Sequence, residues 1–208
     1  MLSNHGFDLW ANTYDASVRS SEQNNAYPFA GYTALMNAIY GTVMNRAHQN
    51  VLDIGFGTAL LTSKLYDAGH IITGLDFSPE MIQIAQAKMP NAQLILHDFA
   101  HGIPAQVQPM SFDFIISTYA LHHLTDEAKA AFISSLLGLL SPSGSILIGD
   151  VGFPSRYELE LCKEAEGDSW DDEEYYFVFS ELYAALHTLC SLTFHPYSHC
   201  SGVIEIRT

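Results

Sequence analysis

Positive charge is the scarcest property of this 208-residue sequence. It has eight lysines and arginines against 23 aspartates and glutamates, and its formal net charge at neutral pH is −15. Proteins that bind nucleic acids need a basic surface, because lysines and arginines displace counterions from the phosphates. The charge therefore predicts that the chain binds no nucleic acid, and it favours a small or neutral substrate.

Long apolar runs and paired cysteines are also lacking. No run reaches the roughly 18 apolar residues of a membrane helix, and the first fifteen residues lack the basic and apolar regions of a signal peptide. The three cysteines, Cys162, Cys190 and Cys200, are not paired at metal-ligand spacing. We therefore expect reduced thiols, no membrane insertion and a cytoplasmic location.

Short β-rich runs alternate with helical segments from about residue 50 onward. This alternation predicts βαβ units and a parallel sheet. Residues 155–190 are typical of two further helices, and Leu192–His195 with Gly202–Arg207 predict a closing strand pair that includes an antiparallel strand at one sheet edge. The predicted β-rich runs are Val51–Ile54, Ile71–Leu75, Gln93–Leu96, Phe112–Ser117 and Ser145–Gly149.

A glycine-rich turn follows the first of these runs. The segment Asp53-Ile54-Gly55-Phe56-Gly57 leads from the strand into a helix near Thr58–Ala68. Glycines permit unusual backbone angles and let a ligand approach the backbone closely. Taken alone, this segment fits a ligand-binding loop and a simple tight turn equally well.

An acidic residue at the end of the second run favours the ligand. Asp76 follows Gly55 by 21 residues, and in doubly wound nucleotide binders an acid at about this spacing binds the ribose hydroxyls. Ser78 is predicted to cap the next helix, which leaves the Asp76 carboxylate spare. Leu60 stands where a dinucleotide fingerprint needs its third glycine, so the pattern favours a nucleoside without a pyrophosphate.

Asp53-x-Gly55-x-Gly57 followed by Asp76 resembles the class I S-adenosylmethionine-dependent methyltransferases. The resemblance covers about residues 10–150, although Ala59 stands where many members have a third glycine. Trp10–Asp15 is similar to the N-terminal cap of the small-molecule subset, which includes ubiquinone-type C-methyltransferases and small bacterial methyltransferases of the YrrT type. Further matching segments are His97-Asp98-Phe99, Phe112–Ser117 and Tyr119–Leu124.

The resemblance implies a Rossmann-like, doubly wound α/β fold. We expect one domain over residues 1–208, with a mostly parallel seven-stranded sheet and an antiparallel edge strand. Within it, residues 1–48 would form a helical cap and residues 49–150 the cofactor-binding core. Residues 151–208 would add helices on the acceptor side and the closing strand pair.

The resemblance also implies how S-adenosylmethionine is bound. The loop from Asp53 would meet the amino-acid end of the cofactor, Asp76 the ribose, and Asp98 the adenine amino group. Phe77 and Met81 would flank the adenine, because an aromatic ring and a flexible thioether suit a flat apolar ring. The alternative is that these two side chains only pack in the core. The predicted cofactor-binding residues are Tyr14, Asp53, Gly55, Gly57, Asp76, Phe77, Met81, Asp98, Phe99 and Tyr119.

Methyl transfer from a sulfonium requires alignment of the reacting atoms and exclusion of water, and it needs a base only if the acceptor must lose a proton. The predicted catalytic residues are His122 and Tyr14, and His123 is a second candidate base. No third partner at sensible spacing is evident for the two histidines, so we expect no metal. Tyr32 is expected to close the pocket.

The acceptor itself is not named by the sequence beyond a small molecule. The acidic run Glu158–Glu174 fits a solvated helix face, with an acidic rim that favours cationic acceptors as the alternative. Aromatic residues of the same region, Trp170, Tyr175, Tyr176, Phe177 and Phe179, are candidates for an acceptor pocket. A cofactor-binding regulator without turnover and a nicotinamide-dependent oxidoreductase are the alternative functions. The oligomeric state and the methylated atom stay open.

Overall fold

The computed structural model describes residues 25–208, in which a twisted sheet carries helices on both faces. Its seven main strands have the order β3-β2-β1-β4-β5-β8-β7, and a two-residue strand, β6, pairs with β5. The strands are β1 (Asn50–Ile54), β2 (Ile71–Asp76), β3 (Gln93–Leu96), β4 (Phe112–Thr118), β5 (Leu140–Phe153), β6 (Phe177–Val178), β7 (Ser191–Pro196) and β8 (Ser201–Arg207).

The pairing of the strands confirms the predicted fold class. β1 is parallel to β2 and β4, and further parallel pairs join β2 to β3 and β4 to β5. The antiparallel strand is β8, which lies between β5 and the edge strand β7 and runs opposite to both. Strand order reverses between β1 and β4, and ligands bind at such a switch point, beyond the carboxyl ends of the strands.

Six α-helices cover the described sheet. Polar caps begin two of them: Ser78, the predicted cap, accepts the amide of Met81, and Thr125 accepts that of Ala128. The helices are α1 (Tyr32–Met44), α2 (Leu60–Asp67), α3 (Pro79–Lys88), α4 (Asp126–Leu137), α5 (Arg156–Glu166) and α6 (Phe179–Leu186).

Two hydrophobic clusters divide the core between the faces of the sheet. Alternate residues of a strand point to opposite faces, so Val51 joins one cluster and Leu52 the other. The first cluster takes in side chains of α1, α2, α3 and α5, and the second those of α4 and α6. α1 lies directly on β5, since a Cβ at Gly149 would come within 2.4 Å of Leu35. Only residues 25–48 of the predicted cap are described, and they contain α1.

Two predicted elements differ from the structure by more than one residue at a boundary. The helix expected near Thr58–Ala68 starts at Leu60, because Ala59 has a left-handed backbone with φ of 57° and cannot continue a helix. The fifth strand is longer than predicted, since pairing with β4 begins at Leu140, ahead of the apolar run. Within residues 25–208, no helix is both long and apolar enough to cross a membrane.

Candidate active site

A cavity of about 450 Å³ lies beyond the carboxyl ends of β1, β2 and β4. This volume falls within the range of small-molecule sites, and the position is the switch point of the sheet. The loop after β1 and the turn after β2 form one end, and the loop after β4 leads from there towards the other end, because Ala120 lies against Gly55 and His122 lies near Glu174. The segment before α1 and residues near 174 form the other. Predicted site residues that line it are Asp53, Gly55, Gly57, Asp76, Phe77, Met81, Phe99, Tyr119 and His122.

The loop after β1 owes its shape to its glycines. Gly55 and Gly57 have φ of 71° and 54°, a left-handed region that glycine enters without steric cost. A Cβ at Gly55 would lie 2.5 Å from the Cβ of Ala120, in the loop after β4. Glycine at this position therefore lets the two loops meet at the floor of the cavity. Ala59, with φ of 57°, is a third left-handed residue of the same loop.

Asp53 is a buried carboxylate at the end of β1. It is 1% exposed, and its Oδ2 accepts a short hydrogen bond from the hydroxyl of Thr62 on α2. Within residues 25–208, no hydrogen-bond partner is found for its Oδ1. Burial raises the pKa of Asp53 to about 7. The hydrogen bond from Thr62 lowers the pKa and the negative charge of Asp76 raises it, but both effects are smaller than that of burial. A cationic group of a ligand would satisfy the remaining oxygen.

Asp76 also lines the cavity, but the expectation that its carboxylate is spare is wrong. Oδ2 accepts the Gly57 amide at 2.8 Å, and Oδ1 accepts the Ser78 amide at 2.9 Å. The side chain thus ties the loop after β1 to the start of α3. Because a carboxylate has about four acceptor positions, further hydrogen bonds from a ligand remain possible.

The predicted adenine residues do not all reach the cavity. Phe77, Met81 and Phe99 line it, with Met81 and Phe99 also buried in the core. Asp98 is not among the lining residues. Its carboxylate accepts the amide of Ala100 at 2.9 Å and caps a short 3₁₀ helix, and its side chain is 46% exposed.

Aromatic side chains surround the middle of the cavity. The Tyr119 ring lies 5.2 Å from that of Phe29 and 5.3 Å from that of Tyr32, between ring centroids. All three rings line the cavity, so Tyr32 has the closing position that we expected. Tyr14 falls in the part of the chain that the structure leaves undescribed, and its predicted roles stay predictions.

His122 lies at the opposite end from Asp53, after β4. Its Nδ1 hydrogen-bonds to Oδ1 of Asp150 at 2.6 Å, and its Nε2 lies 4.0 Å from Oε2 of Glu174. Burial lowers the pKa of His122, but the hydrogen bond and negative charge of Asp150, with the charge of Glu174, outweigh it and the net shift is upward.

The neighbouring His123 completes a compact group with Glu174. Its Nδ1 lies 2.8 Å from Oε2 of Glu174. The backbone around Glu174 is fixed, since the amide of Tyr175 donates to the carbonyl of His122 at 2.8 Å. The ammonium of Lys129 donates a short hydrogen bond to the carbonyl of Tyr175 from the other side.

Only part of the predicted acceptor pocket faces the cavity. Tyr176 lines it and forms a short hydrogen bond with Tyr27, and the ring of Trp170 stacks on Tyr27 at 5.2 Å between centroids. Phe177, by contrast, lies under Lys129, and Phe179 stacks on an aromatic ring of β7. Phe177 is buried in the core and the partly buried Phe179 packs against it, and neither is among the lining residues.

The charges of the cavity have one sign apart from its histidines. Among the described residues that line it, none is a lysine or an arginine, whereas Asp53, Asp76, Asp171 and Glu174 are acidic. The last two belong to the acidic run of the sequence. That run thus supplies an acidic wall at the histidine end, while most of its other members are exposed on α5 and beyond.

Sequence reasoning missed Thr62 and Asp150, and it missed that Glu174 lies beside His122 and His123. The sequence signal for Asp150 is that it directly follows the predicted fifth run, Ser145–Gly149, as Asp76 follows the second. Glu174 has no such local signal, since only the fold brings it beside histidines 51 and 52 positions away.

A doubly wound sheet with a glycine-rich first loop and an acid at the end of the second strand defines a nucleoside-binding α/β protein. Residues 51–144 match the family model described as a methyltransferase domain. An uncharacterized methyltransferase of Alkaliphilus oremlandii is 34% identical over 166 residues, which cover 79% of this chain and 75% of that protein. One from Bacillus cereus is 38% identical over 160 residues, which cover 76% and 72%.

The chain therefore belongs to this methyltransferase family, as the resemblance of its sequence predicts. Solved structures show the same fold. The DhpI–SAH complex superposes with a TM-score of 0.71 at 18% identity, covering 98% of this chain and 94% of that one. A TehB-like SAM-dependent methyltransferase from Corynebacterium glutamicum gives a TM-score of 0.64 at 17% identity, covering 95% and 97%.

Proposed function

We propose that the protein transfers a methyl group from S-adenosylmethionine to a small-molecule acceptor. One observation carries this proposal: a single cavity joins a buried, incompletely paired carboxylate, Asp53, to the histidines after β4. Family membership supports it, and structural neighbours were solved with this cofactor or its product, such as the DhpI–SAM–HEP complex.

The residues of the first end fit the cofactor. Its ammonium group would pair with Oδ1 of Asp53, which accepts no hydrogen bond from the described residues. Its ribose hydroxyls would donate to the Asp76 carboxylate, whose oxygens can each accept more than one hydrogen bond. The adenine would lie among Phe77, Met81 and Phe99, which are flat or polarizable apolar side chains. Asp98 would have to act from outside the lining, at the rim.

S-adenosylmethionine supplies a methyl group bound to a positively charged sulfur. The protein has to hold the acceptor in line with that group and keep water away. The rings of Phe29, Tyr32 and Tyr119 enclose the middle of the cavity, and aromatic faces attract a cation. His122 would contact the acceptor through Nε2, because Asp150 holds its Nδ1. Tyr14 stays a predicted contact from the N-terminal segment.

The acceptor is neutral or cationic in this proposal. An anionic acceptor would meet Asp171 and Glu174 without a lysine or arginine among the described lining residues to offset them. We also propose that the protein works in the cytoplasm, which its three free cysteines support.

The test is a screen with S-adenosylmethionine that carries a deuterated methyl group, incubated with the protein and a cell-extract metabolite pool. Mass spectrometry should show an acceptor that gains the labelled methyl group only when the wild-type protein is present. The Asp76→Ala variant should form far less product. If cofactor binding is intact but no metabolite gains the label, the chain is a cofactor-binding regulator and the proposed turnover is wrong.

A further inference from the structure

Three metal-ligating side chains converge at the histidine end of the cavity. His122, His123 and Glu174 each offer one atom, and these atoms lie within 4.8 Å of one another. Our expectation that no metal binds depended on the lack of a third partner for the two histidines. The fold supplies that partner, and all three residues line the cavity.

The group also has the supporting contacts typical of a metal site. Histidine ligands usually donate their other ring N–H to a carboxylate, which fixes the ring and raises its basicity. Asp150 does this for His122 at 2.6 Å and is itself only 2% exposed. Its Oδ1 also accepts the Val151 amide at 2.8 Å, so the carboxylate is held in place.

Glu174 is likewise held where a ligand would be needed. The Tyr175 amide is bonded to the His122 carbonyl, and Lys129 holds the Tyr175 carbonyl. These bonds fix the segment next to Glu174 against the loop that carries the histidines. The Glu174 side chain is 15% exposed, so little water competes for its oxygens.

We propose that His122, His123 and Glu174 bind a divalent transition-metal ion, with Asp150 orienting His122 from behind. Two neutral imidazoles with the charges of Glu174 and Asp150 would balance an ion of charge +2. Two histidines and one carboxylate form a known ligand set for catalytic zinc, at about 2.0–2.2 Å from the ion. Imidazole ligands equally suit iron, nickel and copper, so Zn²⁺ is the probe and not the sole possible occupant.

Such a site has a consequence for the acceptor, and this part depends on the proposed function. Three protein ligands leave a zinc position open, and here that position faces the cavity. An acceptor hydroxyl bound there would have a lowered pKa. His122 would then act on the acceptor as a ligand of the ion. The acceptor class is accordingly a small alcohol or phenol whose oxygen coordinates the ion.

A second group of potential metal ligands could also bind the Zn²⁺ probe, so the test has to distinguish the two groups. Cys162, Glu166 and His199 also lie within reach of one another. His199 is 44% exposed and sits 3.9 Å from Glu166, and burial with the nearby charge of Glu166 raises the pKa of the Cys162 thiol to about 11. A protonated thiol is a poor ligand, and His199→Gln removes this group from consideration.

The experiment uses the full chain without an affinity tag, with His199→Gln, after treatment with a chelator. Calorimetric titration with Zn²⁺ should show one ion per chain. Adding Glu174→Gln should weaken binding by at least about tenfold, and Asp150→Asn by about 10–100-fold as an outer partner. The matched control is Asp172→Asn, an acid with a 74% exposed side chain paired to Lys163, which should leave the affinity unchanged.

Two results would overturn the metal site: no saturable Zn²⁺ binding by the His199→Gln chain, or equal affinity after Glu174→Gln. Thermal unfolding checks that each variant is folded. If Glu174→Gln does not fold, His123→Gln replaces it, because His123 is more exposed. A parallel titration with S-adenosylhomocysteine separates the two proposals, since metal binding can succeed where cofactor binding fails, and the reverse.

Discussion

Asp53 combines nearly complete burial with an oxygen that accepts no hydrogen bond from residues 25–208. An ionised carboxylate in such surroundings is unfavourable, and this desolvation raises its pKa to about 7. This unfavourable desolvation occurs at the position where the cofactor's ammonium would pair with the carboxylate. Pairing with the cofactor's ammonium would therefore offset the unfavourable burial of this carboxylate.

The raised pKa of Asp53 predicts how stability changes with pH. The folded chain keeps the proton up to about pH 7, whereas the unfolded chain loses it near the ordinary value of 3.8. Since the folded state binds more protons between these values, this group's contribution to stability is greatest at low pH and declines as pH rises towards 7. In urea unfolding, Asp53 should make the unfolding equilibrium constant of the wild type rise about tenfold per pH unit between these values. The Asp53→Asn variant should lack this pH dependence.

Cofactor binding should report the same proton. Pairing with an ammonium favours the ionised carboxylate, so at about pH 6 binding of S-adenosylhomocysteine should release a proton from Asp53. Calorimetry in two buffers of different ionisation enthalpy measures this release. Asp53→Asn should bind more weakly and release no proton. Identical proton release by the variant would show that Asp53 is not the group that pairs with the ammonium.

At the scale of elements, the connection from β1 to α2 determines the floor of the cavity. Its backbone enters the left-handed region at Gly55, Gly57 and Ala59. Asp76 at the end of β2 bonds to the Gly57 amide, which couples two strand ends. The sequence predicted this turn well, because glycine spacing and strand ends are local features. It could not show that Asp76 is already bonded, since that depends on the distance between two strand ends.

Substitutions in the turn should separate backbone cost from contact cost. In Gly57→Ala the added Cβ meets no atom within 4 Å, so only the left-handed backbone should lower the free energy of unfolding, by about 1–2 kcal/mol. Gly55→Ala adds a clash with Ala120 and should lose about 1–3 kcal/mol more. Urea unfolding measures both.

The control for this pair is Gly41→Ala on α1, where nothing lies within 4 Å of the added Cβ. Alanine is the better helix former, so this variant should gain about 0.5–1 kcal/mol. Equal stability of the Gly55→Ala and Gly57→Ala variants would mean that the loop after β4 does not pack on Gly55 as described.

The acceptor end shows where sequence reasoning stops. His122 and His123 were candidates because they follow the fourth strand, which is local information. Their partners Asp150 and Glu174 come from other elements, 28 to 52 positions along the chain, so only the folded backbone brings them together. Asp98 illustrates the converse, because a residue matching the family's motif instead caps a short helix at the surface.

At the scale of the whole molecule, the order of strands explains why the cofactor side was predictable. Alternating strands and helices imply a doubly wound sheet, and such a sheet has its ligand site at the switch point. The predicted closing strand pair is also confirmed, as β7 pairs with β8. It could be predicted because its turn and apolar pattern are local features of the sequence. What was not predictable is the reach of the segment near Glu174 over the cavity, which is a property of long-range packing.

The strong negative charge of the chain has its counterpart in the cavity. Its described lining has acidic residues at both ends and no lysine or arginine, while the cofactor carries a sulfonium and an ammonium. Long-range attraction thus favours a ligand of net positive charge and opposes a dinucleotide with its pyrophosphate. The same property that excluded nucleic acids in the sequence supports the choice of cofactor.

Calorimetric titration of S-adenosylhomocysteine into the wild-type chain and its Asp76→Ala variant, beside NAD, tests the central claim most directly. The account predicts one S-adenosylhomocysteine per wild-type chain and no binding of NAD. It also predicts a loss of about tenfold or more in the variant, because hydrogen bonds to a charged group are removed and the loop is released. Unchanged affinity after Asp76→Ala, or saturable binding of NAD, would contradict the account.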